Sequence, residues 1–546
     1  MNNKMMLVFD KGYAKYTIFF IYILLLSFTL YGDFDIVDDD SEYHADEHFY
    51  LLQEAEEDVW QSRLSAQAYL RYTGKSDDYK QVTRFSLQTD EYTLRTLFET
   101  NTIRKERKQS IGFSWQYSAN PQSTLVIGQY QIDSGYGLLL SKGSFISQKP
   151  GFNTDFSTNR TTLSANARPY NSNTLMGVAF QKKMTERLNL FVYTSYKGTG
   201  AKIEEDKITA LLPSEPDPKD IAIHSFTGAI ANWTLNNLSI STSLNYSQTD
   251  PQFKEYTNPL SAAVSISYRY SQFLIFSETA TAQSVIAHIS GVKHQVQTFS
   301  QILAVRHFDP DYAPYFANYT ANAASGQNER GIYYKIAYKY TDFILSTYVD
   351  LFENIENHPR YIDKNEGTAW GVKIEKQALF GIQDIAIAAS YREKQDKEWR
   401  NFTGISKYHS RTREYYKLVW TQTDEGMLNT KLIYDYQTRK YAVNLQDENE
   451  EIKASGQAIA SNITIKLPNT RLSFVAGIFD TKIPLYLYLY SGRINNSLYT
   501  LSGEGQFALA HISYKIRNKW HIETMGNILK KDKTEYTASV MIGWNQ

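Results

Sequence analysis

The chain has 546 residues, a net charge of −1 and no cysteine. That balance gives no global electrostatic pull toward nucleic acid or an anionic surface. Without cysteine there is no disulfide framework, thiolate metal site, cysteine nucleophile or lipid attachment at an N-terminal cysteine.

Residues Met1–Gly32 read as a secretory signal peptide. Lys4, Lys11 and Lys15 precede the apolar run Thr17–Leu30. A charged start followed by a short apolar stretch fits an export signal. The alternative is a permanent anchor, but the run falls short of the roughly 20 residues that a spanning helix needs. Cleavage is expected near Gly32. Residues 33–60 then form an acidic leader, expected in the periplasm, with Asp38, Asp39, Asp40, Glu54, Glu56, Glu57 and Asp58 and a short helix near Glu47–Trp60. Its carboxylates lack the spacing of a calcium loop, so solvation is the expected reading.

From about residue 61 to the end, polar and apolar residues alternate with period two. In Leu238–Ser247, one face carries Leu238, Ile240, Thr242, Leu244 and Tyr246. The other carries Ser239, Ser241, Ser243, Asn245 and Ser247. A strand sends successive side chains to opposite faces. Strand candidates follow at 65–73, 80–88, 91–99, 109–118, 123–132, 174–183, 187–196, 223–234, 237–247, 261–270, 272–282, 284–294 and 296–306. They continue at 331–340, 342–351, 367–377, 382–392, 412–423, 427–438, 456–467, 471–480, 483–490, 497–501, 505–515, 519–527 and 535–544. Most are close to the roughly 9–11 residues a tilted strand needs to cross a bilayer. Tyrosine, at 42 residues, suits strands and membrane–water interfaces. A mean hydropathy of −0.45 is no objection, because half of every strand faces water.

Short connections alternate with long polar loops. Turns fall at Asp90, Asn120–Pro121, Met184–Thr185, Asn236, Ser271, Thr341, Asp424–Gly426, Pro468–Asn469 and Arg517–Lys519. The long loops are Asp133–Asn173, Lys197–Asp220, Gln248–Pro259, His307–Arg330, Phe352–Glu366, Glu393–Arg411 and Arg439–Ser455. This asymmetry predicts an all-β fold: a large antiparallel transmembrane β-barrel of roughly 24–26 strands, with short periplasmic turns and long extracellular loops. An even count returns both termini to the periplasm. Soluble β-sandwiches also alternate. They give no reason for loop lengths to alternate over the whole chain, and no linker breaks the composition after Asp58. The last strand, with Tyr536, Ala538, Val540, Ile542 and Trp544 on one face, is similar to the terminal signal read by outer-membrane assembly machinery. It departs from that pattern by ending Trp544–Asn545–Gln546.

Several stretches resemble, in order, the barrel region of a family found in Bacteroidetes and related bacteria: outer-membrane proteins whose full-length members carry a helix-hairpin-helix segment. They are Gly128–Leu140 (GQYQIDSGYGLLL), Ala167–Ser172 (ARPYNS), Phe276–Glu278 (FSE), Arg306–Tyr312 (RHFDPDY), Asn328–Tyr333 (NERGIY), Ser410–Tyr416 and Phe479–Thr481. The resemblance spans roughly residues 60–530 and implies a barrel. The helix-hairpin-helix segment is not expected, because Asp33–Trp60 is too short and too acidic for paired helices that bind phosphate through backbone N–H groups. A DNA-binding role is therefore not carried over.

The candidate functional residues lie in loops. Gly135 and Gly137 flank Tyr136 just after a strand; they turn the backbone inside or above a lumen, or close the barrel through a bulge. Arg168 and Tyr170 end a loop of about 40 residues, long enough to act as a constriction or plug. His307, Asp309, Asp311 and Glu329 could together face a divalent ion. The ordinary alternative is turn chemistry, with Asp309–Pro310 opening the loop and Asn328–Gly331 closing it. No hydrolase elbow or triad appears, and no cofactor, metal or catalytic residue is assigned. The expected partners are outer-membrane lipids and the assembly machinery, without nucleic acid. The lead expectation is a porin-like or transporter-like conduit. A non-conducting scaffold presenting outer loops is the alternative, and a membrane-embedded hydrolase a weaker one.

Overall fold

The computed structural model describes residues 63–545, except 74–77, 90, 104–105, 121, 142–149, 157–160, 168–173, 212–219, 253–257, 313, 315, 318–319, 322–327, 357–365, 379–384, 403–404, 425–426, 446–447, 492–495, 517–519 and 531–533. The expected signal peptide and acidic leader, and the candidates Arg168 and Tyr170, lie outside the described residues. Among the described residues no helix is long and apolar enough to cross a membrane.

Every pairing between the strands is antiparallel. In chain order they are β1 (Arg63–Thr73), β2 (Asp78–Gln88), β3 (Tyr92–Ile103), β4 (Glu106–Asn120), β5 (Ser123–Asp133), β6 (Thr162–Ala165), β7 (Leu175–Lys183), β8 (Leu188–Glu204), β9 (Lys207–Leu211), β10 (Asp220–Leu235), β11 (Leu238–Asp250), β12 (Leu260–Tyr270) and β13 (Phe273–Ala282). The second half holds β14 (Val285–Val296), β15 (Phe299–Phe308), β16 (Glu329–Tyr340), β17 (Phe343–Glu353), β18 (Glu366–Lys376), β19 (Ile385–Phe402), β20 (Ile405–Asp424), β21 (Leu428–Leu445), β22 (Glu448–Leu467), β23 (Thr470–Ser491), β24 (Asn496–Ile516), β25 (Trp520–Lys530) and β26 (Thr534–Asn545).

Each strand pairs with its sequence neighbours, with two exceptions. β6 joins only the far end of β5, where β7 stops. β9 folds back on the end of β8, which passes its main ladder to β10. The other 24 of the 26 described strands form the wall. β1 pairs with β26 from Ser65↔Asn545 to Thr73↔Thr537, which closes the sheet on itself. Lipid offers no hydrogen-bond partners, so a sheet in a membrane must leave no edge. The two ends of the described chain therefore meet at one rim. The short turns share that rim, among them Asn236, Ser271 and Thr341, each with positive φ.

Burial identifies the two faces. In β11, Ser241, Ser243 and Asn245 are buried, while Leu244 and Tyr246 are 59% and 47% exposed. The same inversion puts Val264, Ile266 and Tyr268 of β12 and Ile275 of β13 outside, with Ser265 and Glu278 inside. A soluble sandwich buries its apolar face. Here Leu, Ile and Val side chains point away from the protein, a cost of about 25 cal/mol per Å² in water that only lipid removes. The outer face is thus the lipid face of a transmembrane β-barrel.

The inner wall is tightened by aromatic rings that lie over glycines directly across the ladder. Phe276 faces Gly291, Tyr193 faces Gly228, Tyr348 faces Gly371, and Phe507 and Phe479 face Gly477 and Gly505. A Cβ at Gly477 would come within 2.4 Å of the Phe507 ring, and one at Gly291 within 2.6 Å of the Phe276 ring. Glycine leaves room for a ring to lie flat on a neighbouring strand, so the pair fills space with one side chain.

Five expected segments differ. The segments 483–490 and 497–501 are not separate strands: they continue β23 and β24. Pro484 cannot donate to the ladder, and the pairing register shifts between Thr481 and Leu485 without ending the strand. The expected long loops Glu393–Arg411 and Arg439–Ser455 are the tips of extended hairpins, paired as far as Phe402↔Ile405 and Leu445↔Glu448. Most of Lys197–Asp220 is likewise strand, in β8 and β9. Seven charged residues among the nine from Arg392 to Arg400 deny that segment an apolar face. Alternation therefore vanishes, yet backbone pairing does not require it.

Replacing Leu244, central in β11 on the lipid face, with Arg is expected to destabilise the folded barrel by about 2–4 kcal/mol. Asn462→Arg on the inner face is expected to cost less than about 1 kcal/mol. Urea unfolding in lipid vesicles, read by tryptophan fluorescence, measures both.

Candidate functional site

The candidate site is a mass of chain folded against the inner wall. After β5 the backbone turns through Ser134–Leu140, closed by the Ser134 N–H to the Leu140 carbonyl at 3.1 Å. Gly135 and Gly137 both have positive φ, 64° and 86°. At Gly135 space is decisive too: an added Cβ would lie 2.7 Å from Oε1 of Glu278. Only glycine satisfies both demands without strain.

Glu278 stands on the inner face of β13 and is fully enclosed. Its Oε2 accepts the Tyr136 N–H at 2.6 Å and the Leu138 N–H at 3.4 Å. The carboxylate thus satisfies two amides of a turn that has left the sheet. Tyr136 packs its ring on Phe276, with centroids 5.1 Å apart. Burial pushes the Tyr136 phenol above its ordinary range, and the nearby Glu278 and Asp155 carboxylates add to the rise.

The segment is held at further points along its length. The Tyr312 hydroxyl donates to the Leu138 carbonyl at 2.6 Å, and the Tyr333 hydroxyl to the Gly151 carbonyl at 2.6 Å. Lys293 pairs with Asp155 at 3.2 Å. Leu138, Leu139, Phe152 and Phe156 share one buried apolar cluster with Phe276, Ile289, Ala304, Tyr333, Tyr348 and Ala369 of the wall. Leu140 joins a second cluster with Tyr130, Tyr193 and Phe226. One short segment can touch wall strands from β5 to β18 only from the concave side, so it occupies the lumen.

The loop between β15 and β16 enters as well. Leu140 forms a parallel bridge to Phe316, and the Ser141 N–H donates to the Phe316 carbonyl at 2.7 Å. The Phe316 ring stacks on His224 at 5.6 Å and lies 4.9 Å from Phe226. The two infolded loops therefore brace each other as well as the wall. This corrects the simple expectation that half of every strand faces water. From β5 to β18 much of that face is a packed core.

Beside the infolded segment lies a buried charged triad. Arg306 of β15 donates from Nε to Glu329 of β16 at 2.6 Å. Its Nη1 and Nη2 grip Asp350 of β17 at 2.6 and 3.0 Å. The paired geometry satisfies a guanidinium and two carboxylates that are almost wholly out of solvent. Gly331, directly across from Arg306, makes room: a Cβ there would lie 2.6 Å from Cζ of the guanidinium.

The grouping of His307, Asp309, Asp311 and Glu329 around an ion is not what the fold builds. The pleat sends Glu329 inward to Arg306 and His307 outward. His307 Nε2 lies 3.0 Å from Asp309 Oδ1. The other Asp309 oxygen accepts the Ile286 N–H at 2.8 Å, and Asp311 is exposed in the turn that follows. Asp309 is a turn residue that ties the hairpin end of β14 to that of β15. Asn328, at φ 53°, is a clamp: its Oδ1 accepts the Ile355 and Glu356 N–H groups, both at 2.9 Å, and its Nδ2 donates to the Glu356 carbonyl at 2.9 Å.

The two glycines, Asp309, Asn328 and Glu329 stand out in the sequence, whereas their partners do not. Glu278 and Arg306 sat inside the quoted motifs without a role, and Asp350 was absent. A signal existed for each: a lone charge at an inward position among Ser, Thr, Ala and Phe has to be paired.

No family model matches the chain, and no curated protein gives a significant sequence match. Among solved structures, the chain is similar to the ferric enterobactin receptor PfeA of Pseudomonas aeruginosa. The TM-score is 0.48 at 8% identity, covering 89% of this chain and 81% of that one. The copper transporter OprC gives a TM-score of 0.45 at 8% identity, covering 89% and 80%. The translocation pore of the P pilus usher PapC gives 0.33 at 10% identity, covering 89% and 98%. Likeness at this level carries no argument about substrate or partner.

Glu278→Ala is expected to leave two amides of the Ser134–Leu140 turn without an acceptor and to weaken its docking by about 2–4 kcal/mol. Hydrogen exchange at Tyr136 and Leu138 would then quicken while exchange in β13 stays slow. Arg306→Met strands two buried carboxylates and is expected to cost about 3–5 kcal/mol of barrel stability, read as a lower midpoint of urea unfolding.

Proposed function

We propose that this protein is an outer-membrane conduit whose passage is narrowed by its own chain, with the described parts of the loops after β5 (residues 134–141 and 150–156) and after β15 (residues 309–312, 316–317 and 320–321) serving as an internal constriction. The short-turn rim and both termini face the periplasm, and the extended hairpins face outward. A barrel of 24 wall strands would enclose a wide lumen if it were empty. The observation that carries the reading is the docking of Gly135–Leu138 on Glu278. A turn that leaves the sheet, enters the lumen and is held there by a buried carboxylate narrows whatever passes.

The extent of apolar packing around Phe152, Phe156 and Leu139 favours one second reading. An infolded segment that forms a true core could seal the barrel and make it a scaffold that presents its outer hairpins to a partner. Planar-bilayer recording of the purified, heat-modifiable barrel separates the two. A conduit gives discrete steps in the wild type and steps about twofold or more larger in Gly135→Val, which cannot seat the turn on Glu278. Silence in both proteins would favour the sealed scaffold.

A further inference from the structure

The inner face of β19, β20 and β21 has a charge pattern the conduit reading does not use. On the inner face, β19 carries Arg392 and Lys394, β20 carries Arg413 and Lys417, and β21 carries Lys431 and Arg439. The register places Lys394 directly across from Arg413, and Arg413 directly across from Arg439. Three cations thus stand in one row over three adjacent strands. Asp435, across from Lys417, is the carboxylate at inner-face positions of β20 and β21 among the described residues. Like charges directly opposite each other disfavour a sheet pair; Lys394 is offset in part by Asp350 of β17, which lies in the same row across Ala369.

Two further observations point to an anion. The Nε of Arg439 is buried and makes no hydrogen bond among the described residues, so a strong donor within the row is held with capacity unused. The stripe also borders the infolded segment directly. The Arg392 guanidinium lies 5.1 Å over the Phe152 ring, and the Lys394 ammonium 4.8 Å over the Phe352 ring of β17.

We propose that the Lys394–Arg413–Arg439 row is an anion site and that it makes the passage selective for small anionic solutes. This rests on the conduit reading. A row of fixed positive charge in a low-dielectric wall focuses the field, concentrates anions and repels cations.

The test is the reversal potential of the purified full-length barrel in a planar bilayer under a potassium chloride gradient. The wild type is expected to be anion-selective. Lys394→Gln with Arg413→Gln and Arg439→Gln is expected to lower the chloride-to-potassium permeability ratio by roughly threefold or more. Arg413→Lys with Arg439→Lys keeps the charge and is expected to keep the selectivity, which guards against a variant that merely folds badly. Lys466→Gln with Arg471→Gln, at the short-turn rim, is expected to change the ratio little. Absence of any conductance would remove the conduit reading itself. Conductance that is cation-selective, or a ratio unmoved by the triple substitution, would overturn the anion site while leaving the conduit standing.

Discussion

Everything in this molecule depends on the ladder between β1 and β26. Nine residue pairs, from Ser65↔Asn545 to Thr73↔Thr537, turn an open sheet into a wall without an edge. In hydrocarbon an unpaired backbone group costs several kcal/mol, so closure decides whether the outward apolar surface can sit in lipid at all. Closure also creates a concave side sealed from lipid. That enclosed space lets polar chain fold inward and still find partners.

The inner side is where the protein departs from a plain water-filled tube. Part of its wall is a packed core of rings over glycines, of which Phe276 over Gly291 and Tyr348 over Gly371 are examples. The infolded turn depends on that wall: Tyr136 rests on Phe276, and Glu278 two residues away receives its amides. Arg306, Glu329 and Asp350 join three adjacent strands beside it. Buried ion pairs of this kind are weak stabilisers relative to apolar packing. Their use here is geometric, because a bidentate guanidinium fixes the relative positions of its strands. The infolded segment and its support are therefore one continuous unit, with the cations of β19–β21 beside it.

Much of the barrel could be read from the chain without coordinates. Period two in Leu238–Ser247 and Ala262–Tyr270 reflects the pleat, and the pleat does not change when strands meet. The strand-to-strand order followed as well, because turns such as Asn236 and Ser271 permit only an antiparallel neighbour. The reading stopped where side chains no longer alternate. The charged tips of β19–β22 looked like loops because backbone pairing there has no apolar signature. β23 looked interrupted at residues 481–482, where the pairing register begins to shift.

The candidate site divides along the same line. Gly135, Gly137 and Asn328 were visible because positive φ selects glycine and asparagine wherever the rest of the chain lies. Their partners were not. Glu278 lies 142 residues from Tyr136, and Asp350 lies 44 from Arg306; no local pattern links such distances. By itself the sequence determined the period, the lipid face and the even, alternating course of the strands, since these follow from backbone geometry and side-chain polarity. Only the tertiary structure decided that the first long loop turns inward, which carboxylate holds it and which cations share a row, because those depend on how a closed wall brings distant strands face to face.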